Sequence, residues 1–142
     1  MTNNKQSSNI HEFNPSDCIS GKMMRNNRIV ANVFRKHLKQ FNITDSQLSI
    51  IFVASKVKSL NQRKISELLH LEKSTVNRNI ARLLDNEIIS SSSSKELALT
   101  KKGRDLLNNI LPHWRNAMAE IESILEADGV IALNLVTRQL TS

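Results

Sequence analysis

The sequence predicts a mainly α-helical chain with one small β-hairpin. Two observations carry this. Apolar residues recur at spacings of three and four along most of the 142 residues, which is the signature of amphipathic helices. Between residues 86 and 100 that period gives way to a turn, a serine run and a short alternating stretch.

Residues 1–15 are polar, rich in Asn and Ser, and end at Pro15; they read as a flexible tail. Ser16 or Asp17 can cap a first helix over about 17–39, on which Ile19, Met23, Val30, Val33, Phe34, Leu38 and Phe41 recur at helical spacing. Thr44-Asp45-Ser46-Gln47 has the form of a capping box. The helix it opens runs to about Lys58 and buries Leu48, Ile51, Phe52 and Val57. Asn61 breaks the pattern, and a short third helix over about 62–69 turns Ile65, Leu68 and Leu69 inward. His70 and Leu71 make a tight connection to a fourth helix, from near Glu72 to about Asp85, with Val76, Ile80, Leu83 and Leu84 inward.

Asn86 is the residue expected to take the left-handed conformation that ends this helix. Ile88 to Ser92 reads as a strand, residues 93–95 as a tip and Glu96 to Thr100 as the return strand; the five serines of 90–94 also suit a flexible loop. Thr100 caps a long helix. Its Leu107, Leu111, Trp114, Met118, Ile121 and Leu125 step by four, three, four, three and four, a seam of three heptads. Pro112 is expected to kink it, and Asp128-Gly129 to end it before a last short helix carrying Val130, Leu133, Leu135, Val136 and Leu140.

Three Gly and two Pro exclude collagen-like and Pro-rich chains, and one Cys excludes a disulfide scaffold. No run of eighteen apolar residues exists, and MTNNKQSSNI lacks the apolar core of a secretory signal. A soluble, cytoplasmic protein is the expectation. The net charge of +7 points to a polyanionic partner. It is unevenly spread. Residues 20–85 hold thirteen Lys+Arg against four Asp+Glu, while the segments on either side each carry −1. The excess is therefore expected on a nucleic-acid-facing module.

Residues 62–86 read as a helix-turn-helix and 88–100 as its wing. In such a fold the second helix enters the DNA major groove with its N-terminal end. That end reads Glu72-Lys73-Ser74-Thr75-Val76-Asn77-Arg78. One side carries Val76, Ile80 and Leu83 for the core. The other offers Ser74, Thr75, Asn77, Arg78 and Arg82. Arg pairs with guanine and Asn with adenine in bidentate fashion, and Lys73 suits phosphate neutralisation.

EKSTVNRNIARLLDNEII followed by LALTKKGRDLL resembles the MarR family of winged-helix transcription regulators. The resemblance runs from about Cys18 to Leu140 and includes LPHWRNAMAEIESIL, which is similar to that family's long dimerisation helix. It implies a winged helix-turn-helix with N- and C-terminal dimerisation helices. Residues 16–142 would form one domain, with 44–100 binding DNA and 16–41 and 101–142 joining two copies. It also implies a homodimer, the half-sites of a pseudo-palindromic operator on double-stranded DNA, and Ser74, Thr75, Asn77 and Arg78 as base or phosphate contacts. A repressor released by a small aromatic or anionic effector, or by an oxidant, is the expected mechanism.

The sequence departs from the family at two points. The usual wing carries Asp-x-Arg, whose Arg enters the minor groove; here the stretch is SSSSKE, with Lys95 alone near the tip. Gly usually stands where this chain has Glu87. These departures support a second class of function, a winged-helix protein–protein adaptor without tight DNA binding.

Cys18 opens the first helix, where a thiol is favoured as the reactive thiolate. It is a candidate redox sensor by resemblance to the organic-hydroperoxide regulators of the family. Those use Tyr partners, which this chain lacks, and a buried or incidental Cys acting as a small hydrophobe is the plainer reading of Cys18. His11, His37, His70 and His113 show no metal-ligand spacing, so no metal is expected. Trp114 and Met118 read as core, or as the lining of an effector pocket between the dimerisation and DNA-binding parts. With no Gly-rich phosphate loop and no nucleophile–base pair, neither an enzyme nor a cofactor is expected.

Overall fold

A computed structural model describes residues 9–142. The described residues form helices α1 (Ile19–Leu38), α2 (Asp45–Lys56), α3 (Gln62–Leu69) and α4 (Lys73–Asp85), strands β1 (Ile89–Ser91) and β2 (Leu97–Leu99), and the long helix α5 (Lys101–Thr141). Of the expected tail, residues 1–8 lie outside the described residues, and 9–15 are exposed.

The helix starts follow side-chain chemistry. Thr44 and Gln47 close their capping box, each bond 3.2 Å long. Asn61 caps α3 by accepting the Lys64 N–H at 2.9 Å, and Thr100 caps α5 by accepting the Gly103 N–H at 3.0 Å. At α1 the cap is neither Ser16 nor Asp17. Both are taken up in a tight turn, Pro15–Asp17, which Asn14 caps. The chain becomes extended again only at Cys18, whose Sγ accepts the Gly21 N–H at 3.4 Å.

The main core joins α2, α3, α4, the hairpin and α5. Ile50, Ile51, Leu60, Ile65, Val76, Leu83 and Ile89 are almost wholly removed from water, and burial of side chains this size is the dominant stabilising contribution. A smaller cluster forms where α1 and α5 meet α2, around Leu38, Leu48 and Ile110. There Trp114 sets its edge against Phe52, with ring centroids 5.8 Å apart.

Leu68 is not inward but 49% exposed. An eight-residue helix offers one narrow stripe, and Ile65 with Leu69, one turn apart, fills it. Along α5 the most buried positions include Ile110 and Ala117, while Leu111, Trp114 and Met118 are half-buried. The seam thus faces the expected way with its centre turned slightly.

The hairpin pairs Ile89 with Leu99, Ser90 with Ala98 and Ser91 with Leu97. The serine run divides between strand and turn. The Lys95 N–H donates to the Ser92 carbonyl at 2.9 Å, and Lys95 has φ 62°. Leu97 N–H also donates to the Leu60 carbonyl at 2.7 Å, which pins the wing to the segment before α3.

Helix α5 passes through Pro112 with helical dihedrals; its one non-helical residue is Glu126, with φ 58° and ψ −176°. Pro112 does not break the helix: Asn108, whose carbonyl loses its partner, is exposed, so water can satisfy it. Nor does Asp128-Gly129 end the helix. Gly129 serves proximity: a Cβ there would lie 2.9 Å from Leu125 Cβ, so only glycine lets the chain close in after the break.

Candidate nucleic-acid interface

The helix-turn-helix is tied by its connecting turn. His70 takes the left-handed conformation that ends α3, with φ 52°, and the Ser66 hydroxyl donates to the Leu71 carbonyl at 2.6 Å. Helix α4 then begins at Lys73. Its core side carries Val76, Asn79, Ile80 and Leu83. Asn79 is a buried polar residue that sequence reasoning missed. Its Nδ2 donates back to the Thr75 carbonyl at 2.9 Å, so the side chain is satisfied within the helix.

Lys73, Ser74, Asn77, Arg78 and Arg82 are all exposed, and Thr75 is half-buried at the edge. Spacings of one, three, one and four residues place the exposed five across one half of the helix. None of these five side chains takes part in a hydrogen bond or ion pair among the described residues. First-turn N–H groups of α4 also lack helical partners, and that end of a helix favours an anion. Glu72 stands at the N-cap without a side-chain capping bond. Lys95 is exposed at the wing tip beside Glu96.

The end of α4 differs from expectation. Asn86 has φ −85°, and Glu87 is the left-handed residue, with φ 59°. Ile88 N–H reaches the Leu83 carbonyl at 2.9 Å and Glu87 N–H the Leu84 carbonyl at 3.0 Å, the paired bonds of a Schellman motif. Asn86 falls one residue too early for that role.

The basic excess is not confined to the helix-turn-helix. Six of the thirteen cations of residues 20–85, Lys22, Arg25, Arg28, Arg35, Lys36 and Lys39, lie on α1 or the turn after it. Helix α1 packs against α5. There Glu120 accepts hydrogen bonds from Lys36 at 2.7 Å and from His37 at 2.6 Å. Lys36 first, then His37, holds the Glu120 carboxyl below its ordinary pKa. No local pattern could reveal this cluster, because its members are more than eighty residues apart.

Cys18 is exposed, which removes the reading as a buried hydrophobe. A concavity of ≈ 350 Å³ opens between α1 and α2, lined by Phe34, Leu38, Ile43 and Leu48 with Arg35 and Lys39 among its polar groups. Trp114 and Met118 are not part of it. Among the described residues no helix is long and apolar enough to cross a membrane.

The MarR family model matches residues 43–96, which run from just before α2 to the wing. A comparison with curated proteins gives no match. Solved structures share the fold. Bordetella bronchiseptica BpsR, described for regulation of its DNA binding by 6-hydroxynicotinic acid, is similar at 15% identity with a TM-score of 0.79, covering 90% of this chain and 97% of that one. The reduced form of Escherichia coli MarR is similar at 16% identity, TM-score 0.71, covering 94% and 98%. A Mycobacterium tuberculosis MarR family protein in complex with p-aminosalicylic acid is similar at 17% identity, TM-score 0.67, covering 88% and 99%. The helix-turn-helix with its wing lies within the segment, residues 43–96, that matches the MarR family model, and the fold around it is shared along most of the chain with these solved structures.

Proposed function

We propose that the protein is a homodimeric, sequence-specific DNA-binding regulator of transcription, acting as a repressor that a small aromatic anion releases. The observation that carries the reading is the unpaired face of α4. Lys73, Ser74, Asn77, Arg78 and Arg82 are exposed side by side on one half of α4 and, among the described residues, spend none of their side-chain polar groups on the protein itself. Arg78 and Asn77 read base edges, Lys73 neutralises phosphate, and Thr75 and Lys95 contribute at the edges.

Dimerisation is supported by apolar surface at the two ends of the chain. Ile19 is 75% exposed, Ile131 64% and Leu140 67%, and large apolar side chains left open to water mark surfaces that associate. Cations Lys22, Arg25 and Arg28 border this surface on α1, and acids Glu122, Glu126 and Asp128 border it on α5, so two copies offer each other opposite charge. Paired recognition helices would meet half-sites about 34 Å apart. An effector site is supported by the groove between α1 and α2, whose apolar floor and Arg35 and Lys39 suit an aromatic acid; Asp45 is the acidic residue in the same lining. A ligand there would favour a dimer whose recognition helices no longer fit the half-sites. Oxidation at Cys18 is a separate route to release. The Cys18→Ser protein should then resist peroxide, and unchanged peroxide release removes that route.

The test is selection of duplex DNA from genomic fragments, followed by affinity against salt. Log affinity should fall steeply with log salt. Arg78→Ala should lose about 1–3 kcal/mol on the selected sequence and relax its base preference. Absent or salt-independent binding to every fragment would refute the reading and favour the adaptor, which the wing's single cation, Lys95, supports.

A further inference from the structure

Three consecutive carbonyls leave the end of α4, and the first turn of α5 meets all of them. Lys102 Nζ donates to the Asn86 carbonyl at 2.8 Å. The Thr100 hydroxyl donates toward the Glu87 carbonyl at 2.5 Å. The Thr100 backbone N–H donates to the Ile88 carbonyl at 3.0 Å. Gly103 makes the approach possible, since a Cβ there would come within 2.1 Å of the Ile88 oxygen. The stretches DNEII and LTKKG are thus two halves of one joint.

Lys102 is the informative member. A cation in the first turn of a helix opposes that helix's own dipole, and α5 opens with Lys101, Lys102 and Arg104 and no acid. Each is occupied: Lys101 by Asp105 at 3.0 Å, Arg104 by the Leu99 carbonyl at 3.1 Å, and Lys102 by the negative end of α4. The cations of α4 itself, Lys73, Arg78 and Arg82, are free. A count of charges would assign all of these to phosphate; the hydrogen bonds divide them into two sets.

We infer that Lys102 is a positioning residue, which fixes the end of the recognition helix against the long helix, and is not a phosphate contact. The consequence for DNA rests on the function proposed above. A dimer reads two half-sites only if each α4 is held rigidly on the element that sets the spacing, and this joint is where α4 meets α5.

Two measurements test it on the full-length protein. Hydrogen exchange without DNA addresses the joint. In Lys102→Met the amides of Asn86, Glu87 and Ile88 should exchange faster than in the wild type, and Lys102→Arg should restore protection; unchanged exchange overturns the inference. Affinity against salt addresses the role. For duplex selected by the wild-type protein, Lys102→Met should bind about fivefold more weakly, the order expected for losing one exposed charge-assisted hydrogen bond, with an unchanged salt slope and unchanged affinity for random-sequence duplex. A salt slope shallower by about 0.9, with equal loss on selected and random duplex, would make Lys102 a phosphate contact and overturn the inference. If the wild type binds no duplex, the proposed function fails, and hydrogen exchange alone still decides the joint.

Discussion

Glu87 is a non-glycine residue held in left-handed backbone, at φ 59°. For an L-residue with a Cβ this conformation costs about 1–2 kcal/mol. Replacing Glu87 by Gly removes that cost but gives the unfolded chain more freedom, an opposing effect of about 0.4–1 kcal/mol. The Schellman bonds from Glu87 N–H and Ile88 N–H are backbone bonds and survive the change. The net expectation for Glu87→Gly is a gain of about 1 kcal/mol, and at this chain length a rise in Tm of about 3–4 °C. Glu87→Ala separates conformation from charge. It keeps the Cβ and loses the carboxylate, so its stability should stay within about 0.5 kcal/mol of the wild type. The assay is urea unfolding of all three proteins at one protein concentration, with midpoints compared at equal slope. If Ala stabilises as much as Gly, charge rather than backbone is responsible. If Gly destabilises, the strain argument is wrong.

Two further outcomes follow from particular contacts. Gly→Ala inside a helix ordinarily gains up to about 1 kcal/mol. At Gly103 the 2.1 Å approach to a backbone oxygen reverses the sign, and Gly103→Ala should lose about 1–3 kcal/mol by urea unfolding; a gain would refute the close approach. The depressed Glu120 carboxyl contributes stability that is present above its unfolded pKa and lost as pH falls through its folded value. Glu120→Gln should therefore melt below the wild type at neutral pH, with the difference closing as the solution becomes acidic. Equal melting temperatures at neutral pH would show that the link to Lys36 and His37 contributes nothing.

Much of the fold was legible because its signals are local. The Thr44–Gln47 box, the Thr100 cap, the stripe of Val76, Ile80 and Leu83 and the change of period after Asp85 each lie within a few residues, and each forms an element of the structure. The misreadings have a common cause. Leu68 shares the helical period of Ile65 and Leu69, but periodicity cannot say how wide a stripe the neighbours will cover. Asn86 has the better left-handed propensity than Glu87, yet the position of the last helical carbonyls decides which residue must turn. Asp128-Gly129 has the composition of a helix end, but the dihedrals break earlier, at Glu126, a residue type with no marked preference for that conformation. At the proposed interface, residue types on α4 could be read directly. Which cations are free and which are occupied could not, since Lys102 finds its partner sixteen residues away and Lys36 and His37 find theirs at Glu120.

The break at Glu126 has a further consequence. As an unbroken rod, the 41 residues of α5 would extend about 60 Å, and the apolar side chains from Val130 to Leu140 would continue along one axis. Instead, one residue's dihedrals set the heading of everything after it, at an exposed position outside both core clusters. The direction of the terminal helix and the integrity of the folded domain are therefore controlled by different residues. Sequence change at this single joint can re-aim the apolar end of the molecule while the helix-turn-helix and its packing stay as they are.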